Sequence, residues 1–288
     1  MIKTAKTRAI HKAIEEADAV VITAGAGMGV DSGLPDFRGN KGFWRHFPEL
    51  EKLGIGFAEI ATPYWFVKKP ELAWAFYGYR LFQYRKVVPH AGFNMLLDYV
   101  KAKNENYFIV TSNVDGHFQK AGFDPDRVHE VHGSLTHFQC TDRWCSPDIW
   151  SADYSTVKMA KGEFKADQYP LCPKCGKAAR PNVLMFNDEN WIDGRTKKQE
   201  LRFIEWRKQT FMAKQRVVII EIGAGVDVYT IRRIGESLHT HFPWDTTFIR
   251  INPKQSKVPS WPDGAYGVKK TGLEGIKKIL MAYKGDTV

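Results

Sequence analysis

The stretch from Val20 to Gly39, V-V-I-T-A-G-A-G-M-G-V-D-S-G-L-P-D-F-R-G, constrains the fold more than any other part of the chain. Val20, Val21 and Ile22 form an apolar, β-branched run long enough for one buried strand, and Gly25-Ala26-Gly27 follows at once. A glycine turn lets the backbone approach a diphosphate, and its N–H groups are donors for an anion. The expectation is a nucleotide site at the carboxyl end of the first strand. The dehydrogenase form of that site does not fit. Val30 stands where a third glycine is needed, and no second strand ending in an acid follows about 20 residues on. Instead the chain reads Pro35-Asp36-Phe37-Arg38, a carboxylate, a ring and a guanidinium suited to phosphate and to a flat ring. By itself a Gly-Ala-Gly turn also fits a purely structural tight turn.

The four cysteines are the second strong signal. Cys140 and Cys145 make one close pair, and Cys172 and Cys175 make another inside C-P-K-C-G. In a reducing compartment this pattern favours one tetrahedral zinc over disulfides. With all four ligands thiolate, no position is open for water, so the metal would be structural.

A chain of 288 residues with 43% hydrophobic content can bury a large core. No apolar run reaches the roughly 18 residues of a membrane span, and the amino end lacks the apolar region of a secretory signal. A cytoplasmic protein is expected. The net charge of +10 would suit an acidic partner, yet the basic residues are dispersed, so direct nucleic-acid binding is not expected.

Residues 8 to 19 have helical spacing. From Phe43 to Pro89 the chain is rich in aromatics, and P-E-L-A-W-A-F-Y-G-Y-R-L-F-Q-Y-R reads as an amphipathic helix in a helical module. His90 to Val100 suggests another helix, Tyr107 to Thr111 a strand, and Val128 to His132 a short strand closed by Gly133. The sheet is expected to resume near Val183. Arg195 to Gln209 reads as a helix, Val217 to Ile222 as a strand with a second glycine turn, Gly223-Ala224-Gly225, Thr247 to Ile251 as a strand, and Gly272 to Tyr283 as a closing helix. This alternation predicts an α/β fold with a doubly wound, mostly parallel Rossmann-like sheet. The predicted Rossmann-like part comprises residues 1–40, 90–137 and 179–288, beside a helical module (41–89) and a zinc-binding module (138–178) that together form a smaller domain. A neutral histidine at a strand end can serve as general base. His132 is a candidate, but His129 and His137 lie close, and the residues alone do not choose.

The segment from Gly25 to Gly39, T-S-N-V-D-G at 111–116, V-H-G at 131–133, the cysteine pairs, R-P-N-V-L-M-F from Arg180, G-A-G-V-D-V from Gly223 and I-N-P from Ile251 occur in an order that resembles the sirtuin (Sir2) family of NAD-dependent protein deacylases. The resemblance implies that NAD loses nicotinamide while the acyl group of an acylated protein lysine passes to ADP-ribose. It implies His132 as the base, Asn113 positioning ribose and water, and Asp115 holding the nicotinamide carboxamide. It places Phe37 over the reacting carbon. Gly25, Ala26, Gly27, Asp36, Arg38, Ser112, Gly223, Ala224, Gly225 and Asn252 would line the rest of the NAD site, with Val183 and Phe186 beside the peptide. Departures stand at Gly29 (usually Ser), Ser112 (usually Gln), Ala224 and Gly225 (usually Thr-Ser), and at Phe186-Asn187-Asp188 (usually F-G-E). Each removes or alters a polar group, and together they keep NAD hydrolysis or mono-ADP-ribosyl transfer open as an alternative. Tyr77, Arg80 and the small Ala61 fit the pattern of members that remove negatively charged acyl groups such as succinyl, although a core tyrosine and a surface arginine would fit the same spacing.

Overall fold

The run Ala19–Ala24 becomes a central strand because both of its faces are covered. Val20, Ile22 and Ala24 enter one core and Ala19 and Val21 another, which is why a strand buried on two sides reads as continuously apolar. The computed structural model describes residues 4–36, 39–241, 246–260 and 263–280. Its strands in chain order begin with β1 (Ala19–Ala24), β2 (Tyr107–Thr111), β3 (Val128–Glu130), β4 (Gly133–Cys140) and β5 (Ile149–Ser151). Then follow β6 (Lys158–Met159), β7 (Ala166–Gln168), β8 (Ala179–Val183), β9 (Val217–Ile222), β10 (Thr246–Ile251) and β11 (Ala265–Val268).

Six of these form one parallel sheet in the order β11-β10-β9-β1-β2-β3. The chain runs outward from β1 to β3, returns beside β1 as β9, and runs outward the other way. The reversal at β1 and β9 puts a crevice beyond their carboxyl ends, where open α/β sheets bind ligands. Helices Ala5–Glu16, Ala91–Ala102 and Gly272–Leu280 cover one face, through Ile14, Leu96 and Ile276 among others. Helices Gly194–Met212 and Thr230–His241 cover the other through Phe203, Trp206 and Leu238. The doubly wound sheet read from the sequence is present.

Three sequence readings change. Helix Pro70–Lys86 is not amphipathic: Leu72 through Gly78 are all buried, as are Arg80, Leu81 and Tyr84. It is enclosed by helix Tyr64–Lys68 and by the β6–β7 hairpin, and Trp74 Nε1 donates to the carbonyl of Ala179 at 2.9 Å. The sheet does not resume at Val183, because β8 pairs antiparallel with β4 in a separate three-stranded sheet, β5-β4-β8. Finally, β3 stops at Glu130, and Gly133 opens β4 instead of closing β3. Gly133 sits at φ +75°, and a Cβ there would meet the Asn182 carbonyl oxygen at 2.1 Å. From there β4 runs through residues 137 and 138 to Cys140. Among the described residues no helix is long and apolar enough to cross a membrane.

Candidate active site

The two glycine turns at the sheet's reversal point pack on each other backbone to backbone. Gly25 N–H donates to the Ile222 carbonyl and Gly27 N–H to that of Gly223, both at 3.0 Å. A Cβ on Gly25 would lie 2.9 Å from the Ala224 Cα, and one on Gly27 would lie 2.7 Å from the Gly223 Cα. Gly223 is more constrained still, at φ +66° with a hypothetical Cβ 2.3 Å from the Gly27 carbonyl carbon. These glycines therefore serve close approach of one turn to the other. The amides of Gly25 and Gly27, read from sequence as donors for an anion, are already engaged inside the protein.

Above the turns lies a cavity of about 620 Å3. Gly25, Ala26 and Asp36 line it from the first turn, and Gly223, Ala224 and Gly225 from the second. Gly27 lies behind the wall. Asn252 is fully buried beneath it, with Nδ2 donating to the Ala224 carbonyl at 2.9 Å. Phe37 and Arg38 fall outside the described residues.

The β2 side of the cavity carries the polar groups Ser112, Asn113, Asp115 and His132. Their placement follows from the strand end. Thr111 Oγ1 donates to the Ala24 carbonyl and accepts the Asn113 N–H, both at 3.0 Å, and Asn113 Nδ2 donates to the Gly25 carbonyl at 3.0 Å. Asn113 is thereby fixed to the first glycine turn. Asp115 Oδ1 accepts the His117 N–H at 2.9 Å, which shapes the loop around it. The His132 carbonyl accepts the Leu184 N–H, so the β3–β4 turn is joined to the strand end at β8.

Of the three neighbouring histidines, His132 alone lines the cavity among the described residues. Burial lowers its pKa from the ordinary value, so the imidazole is neutral near pH 7. His129 is buried against Phe203 on the far face of the sheet, and burial together with nearby Arg202 lowers it to about 4. His137 is bonded to the Thr136 hydroxyl, with burial and Arg195 lowering it to about 4.

Toward its other end the cavity is lined by Ala61, Tyr77, Arg80, Val183 and Phe186. Arg80 is not a surface residue: it is 7% exposed, and its Nε and Nη2 donate to the Tyr84 hydroxyl at 3.2 and 3.0 Å. Its guanidinium carbon lies 5.3 to 5.6 Å from the ring centres of Phe76, Tyr77 and Tyr84. Burial pushes the Tyr77 phenol up to about 12, so it remains a neutral donor. Asp188 is turned inward. With Arg180 it forms an ion pair whose side chains are both fully buried, so of the Phe186-Asn187-Asp188 segment it is Phe186 that reaches the cavity.

The sequence reading missed Tyr84, Asp227 and Ile231, which also line the cavity. Tyr84 was the accessible one, since four residues from Arg80 on a helix is the same face.

The four cysteine sulfurs all lie within 4.8 Å of one another, with Cys140 Sγ 3.6 Å from Cys175 Sγ and Cys145 Sγ 3.9 Å from Cys172 Sγ. Zn–S bonds of about 2.3 Å at tetrahedral angles put sulfurs roughly 3.8 Å apart, so the residues fit a structural zinc. The metal would link the end of β4 to the start of the β8 segment.

The Sir2 family profile matches residues 25–206. An NAD-dependent protein deacylase of Thermus thermophilus is 30% identical over 276 residues, 94% of this chain and 92% of that protein. One of Aquifex aeolicus is 27% identical over 261 residues, 90% and 93% of the two chains. The crystal structure of a Sir2 homolog–NAD complex shares the fold at TM-score 0.68 and 22% identity, covering 96% of this chain and 93% of its own. The chain belongs to the Sir2 family.

Proposed function

We propose that this chain is an NAD-dependent protein-lysine deacylase, with the cavity between the two glycine turns and helix Pro70–Lys86 as its active site. The observation that carries the reading is the meeting of neutral His132, anchored Asn113 and Asp115 on one wall of a cavity at the sheet's reversal point. The names of the Thermus and Aquifex relatives point the same way. When bound, NAD supplies the ribose carbon from which nicotinamide departs and the hydroxyl whose deprotonation lets the acyl group pass to ADP-ribose.

The chain's own residues then have separable tasks. His132 accepts the hydroxyl proton, which its burial-lowered pKa permits near neutrality. Asn113, held by the Gly25 carbonyl, orients ribose and water. Asp115 accepts from a carboxamide N–H, while Ala26, Asp36, Ser112 and Gly223 to Gly225 frame the dinucleotide. Asn252 supports that frame from behind, Gly27 maintains the contact between turns, and Phe37 and Arg38 are assigned to the same site. Val183 and Phe186 flank the acylated lysine. Cys140, Cys145, Cys172 and Cys175 hold structural zinc, away from the chemistry. Residues 41–89 and 138–178 act as the modules that complete the cavity over the nucleotide-binding part (1–40, 90–137 and 179–288).

Arg80 and Tyr77 favour acyl chains that end in a carboxylate, with Ala61 leaving room for the longer chain. The test is NAD consumption with peptides carrying acetyl-lysine, succinyl-lysine or unmodified lysine, for wild type and Arg80→Met. Acyl-dependent consumption is expected, with the succinyl rate falling relative to the acetyl rate in the variant. An unchanged ratio removes the acyl assignment. Equal NAD breakdown with unmodified peptide favours the alternative, NAD hydrolysis or mono-ADP-ribosyl transfer, to which the lack of side-chain hydroxyls at Ala224 and Gly225 lends support.

A further inference from the structure

Ala224 and Gly225 bring no side-chain donor to the cavity wall they form, yet both of their carbonyls are held from behind by one buried cation. Arg232, in the first turn of helix Thr230–His241, is 5% exposed. Its Nε donates to the carbonyls of Ala224 and Gly225, each at 3.2 Å, and its Nη2 to that of Gln255 at 2.6 Å. Asn252 places a second donor on the Ala224 carbonyl and, through Oδ1, accepts the N–H groups of Lys254 and Gln255 at 3.0 and 2.8 Å. The turn and the loop after β10 are therefore tied to one guanidinium.

That placement works against the helix. A cation in the first turn opposes the helix dipole, and burial, with Arg250 nearby, pulls the Arg232 pKa below its ordinary value. The neighbouring charges are Glu221 and Glu236, which favour it, and Arg250, which opposes it. Both carboxylates already serve Arg250, which bonds Glu221 and lies 2.7 Å from Glu236 Oε1. Arg232 thus directs its described hydrogen bonds to backbone carbonyls, two in the wall and one in the loop after β10. Carbonyl oxygens aimed into a diphosphate site would repel the anion. Tied to a guanidinium, they are drawn away from the cavity, and a positive charge stands directly behind the wall.

We propose that Arg232 is a positioning residue for the nucleotide diphosphate, holding the Ala224–Gly225 carbonyls out of the anion's way and supplying positive potential through the turn. The proposal rests on the assignment of the cavity to NAD and deepens it, since it names the element that makes a hydroxyl-free turn competent for a diphosphate. Three positions of the chain that no glycine-turn motif contains, Arg232, Asn252 and the Gln255 carbonyl, form one device.

Titration calorimetry of ADP-ribose against the full chain tests it, using wild type, Arg232→Lys and Arg232→Gln, with the acyl-peptide KM and kcat measured alongside. Loss of one charge-assisted contact set is expected to weaken ADP-ribose binding roughly tenfold or more in Arg232→Gln and less in Arg232→Lys. The KM for NAD should rise in parallel, with kcat and the KM for acyl peptide close to wild type. A purely structural role would lower the thermal midpoint of both variants and leave ADP-ribose affinity within about twofold of wild type, and that result overturns the proposal. So does an Arg232→Gln chain that binds as well as Arg232→Lys. Absence of ADP-ribose binding by wild type would instead remove the assignment of the cavity itself.

Discussion

The two strand ends beneath the cavity are held by opposite means. At the β2 end, neutral groups do the work: the Thr111 hydroxyl bridges Ala24 and Asn113, and Asn113 in turn reaches Gly25. At the β9 end, charges are buried inside the sheet. Glu221, next to last in an otherwise apolar strand, is fully enclosed and pairs with Arg250 of β10, which also bonds Glu236 and the Lys257 carbonyl. Burial pushes the Glu221 carboxyl up, and Arg250 draws it back. The difference matches the two proposed tasks. Burial keeps His132 neutral, which suits the proton transfer proposed for it, while cations paired with carboxylates are buried behind the wall proposed to take the diphosphate.

The largest effect is expected at Glu221. Glu221→Leu removes one of the two carboxylates that pair with buried Arg250 and leaves it Glu236, and denaturant unfolding should lose up to about 3–5 kcal/mol. The double replacement Glu221→Leu with Arg250→Met should recover much of that. A single variant as stable as wild type would show that the charged end is not under this strain.

Acidification acts at the β3 edge of the sheet, behind the cavity. The unfolded chain takes a proton on His129 near pH 6.5, whereas the folded chain resists until about 4. The unfolded state binds more protons across that window, so stability rises with pH there. On acidification it falls by up to about 3 kcal/mol, with no loss above pH 7. His129→Gln should reduce the dependence of the unfolding midpoint between pH 6.5 and 4 without abolishing it, since His137 is lowered to about 4 as well; an unchanged slope would assign the loss elsewhere.

The smallest effect belongs to the neutral wall. Thr111→Val removes one buried hydroxyl that both donates and accepts, which costs about 1 kcal/mol in unfolding, and frees the Asn113 loop. A fall in kcat with little change in the KM for NAD is expected. A change confined to that KM would assign Asn113's support to binding.

The parts of the molecule legible in sequence are those whose signals are local. The strand runs at 19–24 and 217–222, the glycine turns and the cysteine pairs each declare themselves within a few residues. β8 did not, because A-R-P-N-V is polar until its partners are known: Arg180 meets Asp188, and Asn182 Nδ2 meets Gln139 Oε1 at 2.9 Å. Its Pro181 is tolerated because β8 is an edge strand. Helix Pro70–Lys86 misled for the converse reason, since apolar residues at helical spacing do not reveal that every face will be covered. Within the site, motif order picked out Asn113, Asp115 and His132, but the burial that turns Arg80 toward Tyr84 and the clamp at Arg232 come from tertiary contacts. The glycines were legible as a turn, while their packing against each other required both turns at once.

The central claim is most directly tested by mass spectrometry of the nucleotide products formed from NAD and an acylated peptide by wild type and His132→Ala. Wild type is expected to form O-acyl-ADP-ribose, and His132→Ala to lose it by about a hundredfold or more, with ADP-ribose binding retained. O-acyl-ADP-ribose formed at equal rates by both chains would contradict that claim.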